Sequence, residues 1–244
     1  MKIVLPNAKE MNTNLDPQPF QTLSPASQHV LASLGKMSEE ELAAFYKIKL
    51  EKAQLEWDRW QRIESGQAKS YPAWQLYDGL MYRYMKRTDL SEKEENYLRQ
   101  NAFIATGFYG VINVFDLISP HRLDFQGSLK IGKQSLKQFW RQQFDQSIGE
   151  DTFFISLMSS EFEGVFSPKV QSRMVKLIFM EEKNGQCKIH STISKKGRGR
   201  FLSLMAEKNV ESIEEIESLS VDGFVYHPEL SKERKLVFVR PADN

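Results

Sequence analysis

The dipeptide Asn184-Gly185 is the feature that most limits what this chain can fold into. Asn-Gly between two β-rich runs is typical of a two-residue hairpin turn, because both residues tolerate the left-handed backbone that the turn requires. An apolar run at 174–180 precedes the dipeptide, and a second β-rich run at 187–193 follows it. The sequence therefore predicts an antiparallel strand pair, and with it a fold that contains a β-sheet.

Helix start signals alternate with short apolar runs along the rest of the chain. Ser24-Pro25 and the capping boxes that begin at Ser38, Ser91 and Ser212 predict helix N-termini, since a serine hydroxyl accepts a hydrogen bond from a free N–H group of the first turn. The helix after Ser38 carries an apolar stripe that consists of Leu42, Phe45, Tyr46, Ile48 and Leu55. A further helix is predicted at 134–148, and further strands at 3–5, 153–157, 224–226 and 236–239.

This alternation predicts an α+β fold. No internal repeat or low-complexity linker divides the 244 residues. We therefore expect a single compact mixed domain over 1–244, with a central β-sheet and flanking helices. Gly35-Lys36-Met37 joins the first two predicted helices, which makes them a candidate helix–hairpin–helix unit whose turn could contact a nucleic-acid phosphate. A plain pair of packed helices is the favoured alternative.

Composition limits the compartment and the class of partner. Lys and Arg number 33 against 32 Asp and Glu, so total charge indicates no particular partner, but 169–208 is locally basic and 209–233 acidic. Cys187 is the one cysteine, so no intrachain disulfide can form. The N-terminal run is too short and too soon polar for a signal peptide, and no apolar run approaches the roughly 20 residues that span a bilayer. We expect a cytoplasmic protein without a membrane partner.

Aromatic and basic side chains are interleaved between Trp57 and Tyr84. Such a pattern suits base stacking, but it suits the packing of an amphipathic helix equally well, and we favour packing.

A more distinctive basic segment follows the predicted hairpin. Lys195, Lys196, Arg198 and Arg200 alternate there with Gly197 and Gly199, and the segment is predicted to lie at or just before a helix N-terminus. Backbone N–H groups and cations at that position would bind phosphate, although a solvated basic turn explains the pattern as well.

A second polar group of residues follows the closely spaced glycines of 106–110. Asp116, His121, Arg122 and Asp124 succeed one another there, and Glu161 comes just after the strand predicted at 153–157. His121 with the two aspartates could bind a divalent ion, but hydrogen-bonded scaffolding is the favoured interpretation, and we predict no metal site or cofactor. The sequence has no nucleophile elbow and no phosphate-binding P-loop motif.

Several of these segments match the motifs of one protein family. They are Ala8-Lys9, Tyr77-Asp78-Gly79-Leu80, Gly107, Tyr109-Gly110, Asp116, Pro120, Arg122, Phe139-Trp140, Ser159, Glu161, Lys183-Asn184-Gly185, Leu236-Val237-Phe238 and the Lys195–Gly199 stretch, in which Gly197 replaces an alanine. Over nearly its full length the chain resembles the YaaA family of bacterial peroxide stress response proteins. The resemblance implies one compact fold with a basic cleft, a helix–hairpin–helix element, DNA binding, and a role in limiting free iron and thus oxidative damage.

Two functions are favoured by these residues, ahead of a third possibility, direct iron binding through His121 and nearby carboxylates. The first is a monomeric protein that binds double-stranded or branched DNA, with an indirect link to iron. Its phosphate contacts would be Lys195, Lys196, Arg198, Arg200, Lys36, Lys9 and Arg122. The second is an enzyme that acts on a nucleotide or another phosphorylated small molecule. Its pocket would combine the basic stretch with Lys9, Tyr109, Asp116, Arg122 and Glu161.

Overall fold

A mixed β-sheet forms the centre of the protein, as the hairpin signal predicted. The computed structural model describes residues 1–150 and 153–242. Its strands, in chain order, are β1 (Lys2–Pro6), β2 (Tyr71–Pro72), β3 (Ala102–Thr106), β4 (Gly110–Asn113), β5 (Leu117–Ile118), β6 (Lys130–Ile131), β7 (Gln134–Ser135), β8 (Phe154–Ser156), β9 (Met174–Lys183), β10 (Gln186–Lys188), β11 (Val225–Tyr226) and β12 (Lys235–Pro241).

The central sheet has the strand order β11-β12-β9-β8-β1-β3-β4, and β10 pairs with the far half of β9. The neighbours from β12 to β3 are parallel, whereas β4, β10 and β11 are antiparallel additions. Because β1, β3 and β8 run in the same direction, the loops that follow them leave the sheet at one side. We call this side the carboxyl edge. Binding groups in sheets of this kind commonly lie beyond the carboxyl ends of the strands.

Helices cover both faces of the sheet. Those described are α1 (Pro25–Leu34), α2 (Glu39–Tyr46), α3 (Leu50–Glu64), α4 (Ala73–Leu76), α5 (Leu80–Arg83), α6 (Glu92–Asn101), α7 (Leu136–Ile148), α8 (Ser160–Glu163), α9 (Pro168–Gln171), α10 (Ser191–Lys208) and α11 (Ile213–Glu217). Adjacent residues of β1 point to opposite faces, so Ile3 and Leu5 belong to one buried apolar cluster and Val4 to the other. The predicted fold class, a compact α/β-mixed domain with a central sheet, is confirmed.

The serine caps are confirmed in atomic detail. Ser24 accepts from the N–H of Ser27, and capping boxes with both hydrogen bonds start α2, α6 and α11. Among the described residues no helix is both long and apolar enough to cross a membrane.

The predicted helix after Ser38 is broken in two. It ends at Tyr46, because Lys47 takes a left-handed conformation at φ 54° and closes the helix through its own N–H, which bonds to Ala43 and Ala44. A second helix then starts at Leu50, so the predicted single stripe from Leu42 to Leu55 is wrong, and Leu55 is 53% exposed. The break turns Tyr46 and Lys47 toward the carboxyl edge, where they help to line a pocket.

The hairpin prediction was right for the turn and wrong for the returning strand. Asn184 and Gly185 have φ values of 55° and 75°, as the turn requires. However, β10 ends at Lys188 and α10 already begins at Ser191. The aromatic stretch behaves as the packing alternative predicted, since Trp60, Trp74, Tyr77 and Tyr82 are all buried.

Candidate functional site

Three loops meet at the carboxyl edge. Asn7, directly after β1, donates from its backbone N–H to the Ala105 carbonyl at 3.1 Å and from its side chain to the Leu123 carbonyl at 2.7 Å. Gly79 packs so tightly on Ala8 that a Cβ at Gly79 would lie 2.9 Å from the alanine methyl group. Segments that are far apart in the sequence are therefore held together around the end of β1.

A pocket of about 250 Å³ opens beside this junction. The C-terminal turn of α2 forms one wall, and the loop after β5 forms the other. The lining residues are Lys9, Ala44, Phe45, Tyr46, Lys47, Arg122, Asp124, Gln126, Gly127 and Ser128. The lining holds three cations and one carboxylate, so it is suited to an anion.

Arg122 is the most informative side chain of the pocket. Its guanidinium carbon lies 5.3 Å from the centre of the Tyr46 ring, in a cation–π arrangement. Its Nε is buried and has no hydrogen-bond partner among the described residues. A buried donor without a partner costs free energy, and an anionic ligand at the guanidinium would supply the missing hydrogen bonds.

Lys9 and Glu161 fix the opposite side of the pocket. The Lys9 ammonium lies 3.0 Å from an Asp124 oxygen and 3.4 Å from the Gln126 side-chain oxygen. Glu161 accepts from the Phe125 N–H at 3.0 Å and from the Gln126 amide at 2.7 Å. Lys9 and Arg122 therefore share the pocket, as the sequence suggested. Glu161 does not line the pocket, but its hydrogen bonds to Phe125 and Gln126 fix the loop that does.

A buried carboxyl group that the sequence analysis missed lies behind the pocket. Glu56 on α3 accepts from Arg59 at 2.8 Å through Oε1, and its Oε2 has no partner among the described residues. Burial raises the pKa of Glu56, although the charges of Arg59 and Arg122 act in the opposite direction. Helical spacing could have revealed this residue, because Glu56 shares a helix face with the buried Ala53, Trp60 and Ile63.

Tyr109 and Asp116 do not join the pocket. The Tyr109 hydroxyl accepts from the Ser119 N–H at 3.0 Å, and burial raises the pKa of Tyr109 to about 12. Asp116 was expected in the pocket but lies at the opposite end of the sheet. It accepts from the Asn113 N–H at 2.8 Å, and Asn113 pairs with Phe103 near the start of β3. The antiparallel course of β4 carries the chain away from the carboxyl edge.

The proposed cluster of His121 with two aspartates is not assembled either. His121 is fully buried among the rings of Trp60, Tyr77, Phe108 and Tyr109, and its Nδ1–H donates to the Ser119 carbonyl at 2.8 Å. Burial lowers the pKa of His121 to about 4. Within residues 1–150 and 153–242, no group of three or more His, Cys, Asp or Glu side chains is placed to hold a metal ion.

The basic stretch lies inside a helix, which corrects its predicted position. Lys195–Arg200 occupies the middle of the 18-residue helix α10, so its backbone N–H groups serve the helix and do not form a phosphate cradle. The glycines have a packing role: a Cβ at Gly197 would lie 2.5 Å from the Phe179 ring, and one at Gly199 would lie 2.2 Å from the Met81 carbonyl oxygen. They allow α10 to fit closely between β9 and α5.

The four cations of this stretch point in different directions. Lys196 and Arg200 lie over the Tyr84 ring at 5.0 and 5.2 Å, and Arg200 also pairs with Asp222 at 3.0 Å. Lys195 is exposed, whereas Arg198 is largely buried. None of the four lines the pocket at Arg122.

Lys36 does not line the pocket either. It is exposed in the turn before α2, whereas Tyr46, which lines the pocket, is at the other end of that helix.

Comparison with known proteins places the chain among relatives of nearly equal length. The sequence model of the family described as "Peroxide stress protein YaaA" matches residues 1–230. A UPF0246 protein of Streptococcus pneumoniae (strain P1031) is 45% identical over 240 residues, which cover 98% of this chain and 99% of the relative. A UPF0246 protein of Streptococcus gordonii (strain Challis) is 43% identical over 243 residues, which cover 100% of both chains.

Proposed function

The chain belongs to the family of the peroxide stress protein YaaA, and from that membership we propose that it acts in the peroxide stress response by binding DNA at the carboxyl edge. The observation that carries the proposal is the Arg122 guanidinium. It lines a concave, cationic pocket beside Lys9, and its buried Nε lacks a partner in the described structure. A phosphate group is the ligand that this arrangement suits best.

A series of contacts that starts beside the pocket leads to further cations. Glu10, next to Lys9 in the chain, pairs with Arg83 of α5, and the residue after Arg83 is Tyr84, which carries Lys196 and Arg200 over its ring. The contacts connect Lys9 to α10 through α5. Such a band suits a polyanion with several phosphates better than it suits one small anion.

The test is a fluorescence titration of labelled duplex DNA and of a four-way branched DNA at two salt concentrations. We expect saturable binding that weakens as salt rises, with a slope of about 0.9 in log K per log salt for each phosphate contact. Arg122→Gln and Lys9→Ala should weaken binding to both DNAs and reduce the slope.

Arg99→Gln is the matched control for this titration. Arg99 is an exposed arginine that pairs with Glu95, and its carbonyl accepts from Asn113 at the opposite edge. The Arg99→Gln variant should bind DNA with the same affinity as the unsubstituted protein. Absence of binding by the unsubstituted protein, or equal loss in the Arg99 control, would refute the proposal.

We also propose that DNA binding serves to limit iron-dependent oxidative damage. Protein that covers the backbone would keep hydroxyl radicals from the sugars that it contacts. Nicking of plasmid DNA by Fe(II) and peroxide should therefore fall when the protein is added, and Arg122→Gln should protect less. Equal protection by the unsubstituted protein and by Arg122→Gln would mean that protection does not depend on DNA binding at Arg122.

A second candidate function is an enzyme that acts on a small phosphorylated ligand. The volume of the pocket, about 250 Å³, favours it, because that space accepts a phosphate group with part of a nucleotide. A thermal-shift screen against mononucleotides and divalent ions would distinguish the two functions, since a ligand that binds the native state raises its stability by mass action. Stabilisation by a mononucleotide with no affinity for DNA would favour the enzyme.

A further inference from the structure

The central sheet has a gap beside β9. β8 pairs with β9 only as far as Lys176, and on the same side β10 pairs with β9 only from Glu181. β12 occupies the other side of β9 throughout this region. Among the described residues, the flank of β9 between Leu177 and Met180 therefore faces no strand on the β8 side.

Side chains from four elements, β8, α8, β9 and α10, close around this gap. At its β8 end, Ser156 donates to Glu163 of α8 at 2.9 Å, and the Lys176 ammonium forms a short ion pair with the other oxygen of Glu163. From α10, Ser194 donates to the Phe179 carbonyl at 3.3 Å. Both carboxylate oxygens of Glu163 are thus already used, and its charge is balanced by Lys176.

Arg198 is one turn after Ser194 on α10, so it lies on the helix face that meets this cluster. Its Nε is buried and makes no hydrogen bond within the described part of the chain. Burial lowers the pKa of Arg198, and the nearby charge of Glu163 opposes that effect without a hydrogen bond between the two groups. A largely buried guanidinium that nothing neutralises directly is unfavourable unless an anion joins it.

The backbone at Arg198 is rigidly placed. Gly197 lies against Phe179, and Gly199 lies against the Met81 carbonyl, at distances that leave no room for a Cβ at either glycine. Lys195 is one helical turn before Arg198 and is exposed, with no ion pair among the described residues. Residues three apart are neighbours on a helix surface, so the two cations can act on one ligand.

We propose that Arg198 and Lys195 bind a phosphate group at the gap beside β9. Neither residue lines the Lys9–Arg122 pocket, and the site deepens the proposed function, on which it rests, by adding a second phosphate anchor. Arg198 supplies a bidentate donor, and Lys195 supplies a point charge. Glu163, held by Ser156 and Lys176, acts on the guanidinium through its charge alone, so the donors of Arg198 stay available to a ligand.

The phosphate could belong to a free nucleotide or to a polynucleotide, so the test uses one probe for each source. Inorganic pyrophosphate and a short duplex DNA are titrated calorimetrically into the protein at low salt. Arg198→Met should weaken at least one probe about tenfold or more, because charge-assisted hydrogen bonds to the anion are lost. Loss confined to the DNA probe would identify the polynucleotide as the source, and loss of pyrophosphate binding would identify the free ligand.

Arg99→Met is the matched control, since Arg99 is an exposed arginine that already pairs with Glu95 and lies at the opposite edge of the sheet. It should change either affinity by less than about twofold. Arg198→Lys keeps the charge and should give an intermediate affinity; it also serves if Arg198→Met does not fold.

Unchanged affinity of both Arg198 variants for both probes would overturn the inference. Arg122→Met, measured in parallel, separates this failure from that of the proposed function. If Arg122→Met weakens DNA binding while the Arg198 variants do not, DNA binding at the Lys9–Arg122 pocket is supported and the second phosphate site is refuted. If none of the variants weakens DNA binding, both proposals fall.

Discussion

His121 should make the stability of the protein depend on pH. Its ring is fully buried, Nδ1–H donates to the Ser119 carbonyl, and Nε2 faces the Tyr77 hydroxyl at 3.4 Å. Burial lowers the pKa of His121 from 6.5 to about 4. The native state therefore holds His121 neutral over a range in which the unfolded chain takes up a proton.

The sign and the size of the effect follow from linkage. The stabilisation is fully present above pH 6.5 and is lost as the pH falls toward about 4, because the unfolded state then binds the extra proton. At about 1.4 kcal/mol per pKa unit, the free energy of unfolding should fall by about 2 kcal/mol between pH 8 and pH 5 through this residue alone. By pH 4 the loss should reach about 3 kcal/mol.

The assay is urea unfolding at several pH values, read as the difference between unsubstituted protein and His121→Asn. Asparagine keeps a donor for Ser119 but does not titrate, so the variant should lack this part of the acid destabilisation whatever its stability at pH 8. His29→Asn, at an exposed position of α1, is the control and should keep the full pH dependence. The same loss between pH 8 and pH 5 in His121→Asn and in the unsubstituted protein would refute the reasoning.

Three further predictions concern α10. Gly199→Ala should destabilise the fold by more than about 3 kcal/mol or prevent folding, since its Cβ meets the rigid Met81 carbonyl oxygen at 2.2 Å; soluble expression and thermal unfolding test it. Gly197→Ala should cost about 1–3 kcal/mol in urea unfolding, because the Phe179 ring 2.5 Å away can shift, and an equal or larger loss than at Gly199 would contradict this. Arg198→Met should raise the unfolding free energy by about 1–2 kcal/mol in anion-free buffer, since an unpartnered buried donor is removed; a loss of stability would mean that Arg198 is structural.

The elements that the sequence predicted well depend on contacts between near neighbours. The turn at Asn184-Gly185 follows from the backbone freedom of two residues, and the capping boxes at Ser38 and Ser91 follow from side chains three residues apart. Interactions of this range can be read from a short window. The helix break at Lys47 was missed because a left-handed lysine carries no such signal.

The start of α10 shows how a long-range contact overrides local preference. Residues 187–193 are rich in β-branched side chains, and two glycines in six residues disfavour a helix by about 1 kcal/mol each relative to alanine. The helix forms across them all the same, because those glycines admit Phe179 from the sheet and Met81 from α5. Nothing in the local sequence identifies these neighbours.

The candidate sites show the same difference between what is local in the sequence and what depends on the tertiary structure. The sequence by itself determined which residue types can bind phosphate, and it selected seven cations: Lys9, Lys36, Arg122, Lys195, Lys196, Arg198 and Arg200. Only the tertiary structure decided that Lys9 and Arg122 share one pocket, that Asp116 lies at the opposite edge, and that Arg198 faces a gap beside β9. The reason is physical: strand direction and pairing set which distant segments meet, and burial without a partner is a property of the assembled protein.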